Sequence, residues 1–155
     1  MSMTDLSASS ATPEIHDALL AIETSCEERG LSLTPLRKRV LELLLQAGGP
    51  VKAYDLLAAL KPDGGAQPPT VYRALDFLTK AGLAHKVEAL NAYTACSHGD
   101  HADQHTDDTA ALFICGACGA VEERHVPRVS GDGAPEGFKL DRSVIEHYGR
   151  CADCA

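Results

Sequence analysis

Apolar residues recur at helical spacing through the first half of the chain and give way to short extended runs in the second. Ile15, Ala18, Leu19, Ile22 and Cys26 mark one face of a helix. It opens at Thr12-Pro13, a side-chain cap followed by proline at the first helical position, and runs to about Glu28. Cys26 falls on that stripe and reads as a small buried hydrophobe. Gly30-Leu31 closes the helix, and Thr34-Pro35 repeats the opening for a second one. That helix carries Leu36, Val40, Leu41, Leu44 and Leu45 and stops at Gly48-Gly49-Pro50. A third helix over residues 52–60 sets Ala53, Leu56, Leu57 and Leu60 on one stripe and Tyr54 off it. Pro68-Pro69 opens a fourth, in which Val71, Ala74, Leu75 and Leu78 face a core while Tyr72, Arg73, Asp76 and Lys80 face away. Gly82 ends it.

The period then changes. Residues 83–87 and 92–95 are short extended pieces joined by a turn at Asn91. Helices followed by such a hairpin form a winged helix-turn-helix pattern, in which the fourth helix enters the major groove. Arg73 suits base reading because a guanidinium matches guanine O6 and N7 bidentately. Its competing partner is Asp76, one helical turn on, in a pair worth roughly a few tenths of a kcal/mol. The run Arg37-Lys38-Arg39 on helix two suits a phosphate backbone, or else an ordinary solvated face. Beyond the hairpin, residues 112–115 and 120–126 read as strands, and 129–137 as a loop rich in glycine and proline. Residues 138–140 and 143–148 read as a further strand. Residues 1–11, rich in Ser, Ala and Thr, read as a disordered tail.

Charge sharpens this picture once it is divided. The chain of 155 residues has a net charge of −8, which by itself argues against nucleic acid. From Arg29 to Lys86, however, nine Lys/Arg stand against four Asp/Glu, giving +5, and from Val87 to Ala155 five stand against twelve, giving −7. A basic segment between acidic ones fits a DNA-binding module joined to a metal-binding module. The expected fold class is α+β. The domains are a winged helix over 12–87, a wing end and hinge over 88–96, and a small zinc-stapled α/β domain over 97–155.

The metal expectation comes from two knuckles. Cys115-Gly-Ala-Cys118 and Cys151-Ala-Asp-Cys154 together offer four thiolates, the set a tetrahedral structural zinc takes, and Gly116 and Gly119 relax the tight backbone around the first. A disulfide framework or a redox dithiol is the competing use. No secretory or transmembrane run is present, so the expected compartment is the reducing cytoplasm, where structural disulfides are rare. Residues 97–108 add His98, His101 and His105 among four aspartates, a metal-binding composition beside Cys96. No nucleophile is paired with a base, and a closed four-ligand site leaves no position for water, so catalysis is not expected.

The motifs Thr34-Pro-Leu-Arg37, Pro69-Thr-Val-Tyr-Arg-Ala-Leu-Asp-Phe-Leu78 and Phe113-Ile-Cys-Gly-Ala-Cys-Gly-Ala-Val-Glu-Glu123 resemble the ferric uptake regulator family of bacterial metal-sensing repressors. The runs Gly82-Leu-Ala-His-Lys-Val-Glu88 and Asn91-Ala-Tyr-Thr-Ala-Cys96 are similar to its zinc uptake regulator branch. The resemblance implies a homodimer that represses zinc-uptake genes when zinc-loaded, on an AT-rich palindromic operator, with a C-terminal dimerisation domain. It implies one structural and one regulatory zinc per subunit. Cys115, Cys118, Cys151 and Cys154 match the structural site. His85, Cys96 and Glu123 match regulatory ligands, with His105 as the fourth and His98 or His101 as alternates. Tyr54 and Arg73 match DNA-contacting positions. A borderline N/S/O donor set suits zinc, whereas an iron, manganese or peroxide sensor, the rival reading, is expected to use His and carboxylate ligands. One departure stands out: family members place a helix after the second strand of the dimerisation domain, and residues 125–137 are too broken for one of normal length.

Overall fold

The computed structural model describes residues 13–96, 108–127, 133–140 and 143–155. The proposed tail over 1–11 and the loop histidines His98, His101 and His105 lie outside the described residues. The chain divides into two compact units, residues 1–102 and 103–155.

The first unit follows the helical periods closely. Helix α1 spans Pro13–Glu28 and buries Leu19, Ile22 and Cys26. Helix α2 spans Pro35–Ala47. The Thr34 hydroxyl accepts from the Arg37 amide at 3.4 Å, and Gly48 closes the helix at φ 63°, where a side chain would be strained. α2 buries Leu43 as well as Val40, Leu41 and Leu44, and leaves Leu36 and Leu45 half-buried. The apolar face is wider than the stripe in the sequence because α2 is packed from several sides. Helix α1, helix α3 (Ala53–Leu60), helix α4 (Pro68–Lys80) and the hairpin strand β2 (Ala92–Ala95) all pack against it. α4 buries Val71, Ala74, Leu75 and Leu78, the expected core face, together with Thr79. Arg29 Nη1 donates to the Ala81 carbonyl at 3.0 Å and satisfies a backbone acceptor at the end of α4.

Strand β1 (Ala84–Val87) pairs antiparallel with β2, His85 facing Thr94 and Val87 facing Ala92. The turn between them is a 3₁₀ segment, Glu88–Leu90, ended by Asn91 at φ 47°, a conformation asparagine tolerates. Val51 bridges Tyr93 through bonds of 2.7 and 2.8 Å, which ties the α2–α3 connection to the wing.

The second unit is a three-stranded sheet in the order β4-β3-β5. β3 (Asp108–Cys115) is central, antiparallel to β4 (Val121–Pro127) and parallel to β5 (Val144–Gly149). β3 begins four residues earlier than the sequence pattern suggests. Its first half, Asp108-Thr-Ala-Ala111, is polar and small, yet Thr109, Ala110 and Ala111 are buried at the centre of the sheet. Backbone pairing with β4 along the whole segment, and with β5 from Ala110 on, outweighs weak intrinsic strand preference there. β5 forms as expected, whereas residues 138–140 have no strand assignment. β4 takes in His125 to Pro127, and no helix occurs among the described residues 133–137. The architecture is α+β, with helices and wing in one unit and a sheet in the other. No described helix is long and apolar enough to cross a membrane.

Candidate metal centres and nucleic-acid interface

Parallel pairing of β3 and β5 is what brings the two knuckles together. The register ends with Cys115 opposite Gly149, and the Gly116 amide donates to the Gly149 carbonyl at 2.9 Å. A chain leaving β5 at Gly149 therefore reaches Cys151 beside the first knuckle. Within the knuckles the Gly119 amide bonds the Cys115 carbonyl at 2.9 Å, and the Cys154 amide bonds the Cys151 carbonyl at 3.0 Å. Gly119 needs its lack of a side chain, at φ +76°. Gly116 does not: its φ is ordinary, and an added Cβ would stand 3.8 Å from the Gly149 carbonyl oxygen.

The sulfurs of Cys115, Cys118, Cys151 and Cys154 all lie within 4.8 Å of one another, and Cys118 Sγ is 3.8 Å from Cys151 Sγ. A zinc ion with Zn–S bonds of about 2.3 Å holds tetrahedral ligands about 3.8 Å apart, so the cluster fits that ion. Its electrostatics agree. Backbone amides, chiefly that of Cys118 and then those of Cys151 and Ala117, hold the Cys115 thiol down to about 6. The Cys154 thiol, hydrogen-bonded first to Cys151 and then to Cys118 and Cys115, is pushed up to about 12. Backbone dipoles thus favour one thiolate, and four together require a compensating cation.

Other ligand-type residues occupy both units. His85 is buried on β1, and the Cys96 amide donates to the Leu83 carbonyl at 3.0 Å just past the end of β2. With His85 opposite Thr94, residue 96 is its diagonal neighbour on the same face of the hairpin. A ring nitrogen of His85 and the Cys96 sulfur lie within 4.8 Å. Glu123 stands on β4, where its carboxylate Oε1 is 3.0 Å from His125 Nε2. His125 is a contact that sequence reasoning missed. The two-residue spacing, which puts both side chains on one face of a strand, was the available signal.

The α4 face is laid out as the pattern implied. Tyr72 and Arg73 are exposed, and Tyr54 on α3 is 80% exposed. Asp76, the competing partner for Arg73, instead pairs with Lys80 at 2.9 Å. The i,i+4 spacing, acid first, is the better geometry on a helix. Among the described residues Arg73 has no ion pair.

Known proteins share this chain's sequence and fold over most of its length. The zinc uptake regulation protein of Escherichia coli (strain K12) is 43% identical over 144 residues, covering 90% of this chain and 82% of that protein. A solved zinc uptake regulator complexed with zinc and DNA superposes with a TM-score of 0.73 at 41% identity, covering 92% of this chain and 95% of its own. The crystal structure of holo XcZur gives 0.70 at 39% identity, over 88% and 96%. The ferric uptake regulator family profile matches residues 28–147. The chain belongs to the ferric uptake regulator family.

Proposed function

We propose that this protein is a zinc-responsive transcriptional repressor that binds operator DNA as a zinc-loaded dimer and shuts off zinc-uptake genes. The observation that carries the reading is the likeness, over nine-tenths of the chain, to a regulator solved with both zinc and DNA. The exposed Arg73 and Tyr54 and the four-thiolate cluster are the features such a protein needs. Cys115, Cys118, Cys151 and Cys154 hold a structural zinc that ties the end of β3 to the C-terminus. His85, Cys96 and Glu123, with His105 or its neighbours His98 and His101, hold a regulatory zinc. One thiolate, two imidazoles and a carboxylate make a donor set suited to that metal rather than to a harder one.

The proposed operator is an AT-rich palindrome, matched to a two-fold dimer. The domains are the winged helix over 12–87, the wing end and hinge over 88–96 and the dimerisation domain over 97–155. The site of action is the cytoplasm. Zinc shifts the population toward the DNA-binding form because that form supplies more ligands. Binding of the purified protein to duplexes selected from a random-sequence pool, in buffered zinc, ferrous iron or manganese, tests this. Tight binding in zinc alone is expected, and equal binding in iron or manganese would remove the zinc assignment.

A further inference from the structure

Of the three cations near the start of α2, two are neutralised within the protein and one is not. Lys38 Nζ lies 2.8 Å from Glu23 Oε1, and Arg39 Nη1 lies 2.7 Å from Glu42 Oε2. Those pairs leave little net charge for a polyanion. Arg37 instead donates from Nη1 to the Ser32 carbonyl at 2.6 Å and lays its guanidinium over the Phe77 ring, 3.9 Å from the centroid. Both partners are neutral, and among the described residues no carboxylate stands within ion-pair distance of Arg37. Its charge is held in place without being cancelled.

Phe77 gives that position its meaning. It lies four residues beyond Arg73 on α4, so the two share a flank of the helix, about 6 Å apart along its axis. A guanidinium carries its five N–H groups in its own plane, and the Ser32 carbonyl accepts from Nη1, which leaves others for a phosphate. The stack and the hydrogen bond also fix torsions that a free arginine would have to immobilise on binding.

We propose that Arg37 is a DNA-phosphate contact, preorganised by Phe77 and Ser32, that sets how α4 seats in the groove. The proposal rests on the reading of α4 as the DNA-reading helix. Such a contact orients the protein and contributes nothing to base choice.

The test is the salt dependence of binding by the zinc-loaded, full-length protein to a duplex selected by the wild type from a random pool. Arg37→Gln should lower the slope of log affinity against log salt by about 0.9 for each protomer on the duplex. It should weaken binding to the selected duplex and to base-substituted versions by the same factor. Lys38→Gln and Arg39→Gln should keep the wild-type slope, and Arg37→Lys should restore it. A wild type that binds no duplex overturns the DNA reading itself. A wild type that binds, beside an Arg37→Gln protein with the full slope, overturns the phosphate contact, because affinity lost at constant slope marks a packing role. Should Arg37→Gln fail to fold, phenylglyoxal modification of the wild type supplies the answer by mass spectrometry. Arg37 should be modified in the free protein and protected on the duplex, and equal modification in both overturns the proposal.

Discussion

The helical unit and the sheet unit meet the demand for a stable interior by different means. Leu41, Leu43, Leu44, Leu56, Leu75 and Leu78 are fully buried in the first, where four helices and a wing converge. Among the largest fully buried side chains, the sheet unit contributes Leu112 and Thr109. Phe113, Phe138, Val144 and Tyr148 of that unit are exposed. A unit of that size buries too little apolar surface to be secure alone, and a metal staple is the usual remedy. A zinc held by the four cysteines at one end of the sheet, as proposed, would contribute to its folding free energy. On the proposed function, the difference separates tasks: the unit with the ordinary core would present the DNA-reading face, and the unit with the thin core would depend on metal.

The largest expected effect comes from removing that dependence. Cys151→Ser, in the full-length chain, should abolish structural zinc binding, a contribution of about 10–16 kcal/mol in small zinc domains. Zinc content should fall and the sheet should lose its protection from amide exchange, while α1 to α4 keep theirs. Helices that lose protection to the same extent would break the proposed division.

Leu75→Ala attacks the other side of the contrast. Leu75 is fully buried on α4, and truncation should cost about 2–5 kcal/mol through lost burial and a cavity. The denaturant midpoint of the helical unit should drop while the zinc content of the four-cysteine cluster stays constant. Equal loss of zinc would show that the sheet does not hold its metal independently. Arg73→Ala has the smallest effect on the fold and a specific one on function. Operator affinity should fall by the equivalent of about 1–3 kcal/mol and base preference at one position should relax. Unchanged affinity and preference would remove Arg73 from the reading face.

What the sequence made legible follows the same division. Proline-and-threonine openings, apolar stripes and glycine stops located four helices and the wing almost residue by residue, because local signals and burial agree there. The width of the buried face of α2 was not legible, since it depends on how many neighbours surround Leu43. In the sheet, the early start of β3 was hidden by Asp-Thr-Ala-Ala, whose strand state comes from pairing with β4 throughout and with β5 from Ala110 on. The cysteine spacing picked out the four residues that cluster, but only the parallel β3–β5 register explains why a gap of 32 residues closes into one group. His125 was overlooked because its role depends on the strand face it shares with Glu123. The Arg37-Lys38-Arg39 run shows the limit of charge counting: three like residues have three different fates, set by the neighbours each one meets.

The central claim, that zinc acts through a second ligand set distinct from the structural cluster, is tested most directly with Cys96→Ser. Operator binding and zinc content should be measured together across a buffered free-zinc series, at one fixed salt concentration, for the wild type and the variant. The account predicts that wild-type affinity climbs with free zinc. The variant should keep its structural zinc and remain weakly bound at every zinc level. A variant that follows the wild-type curve would contradict it.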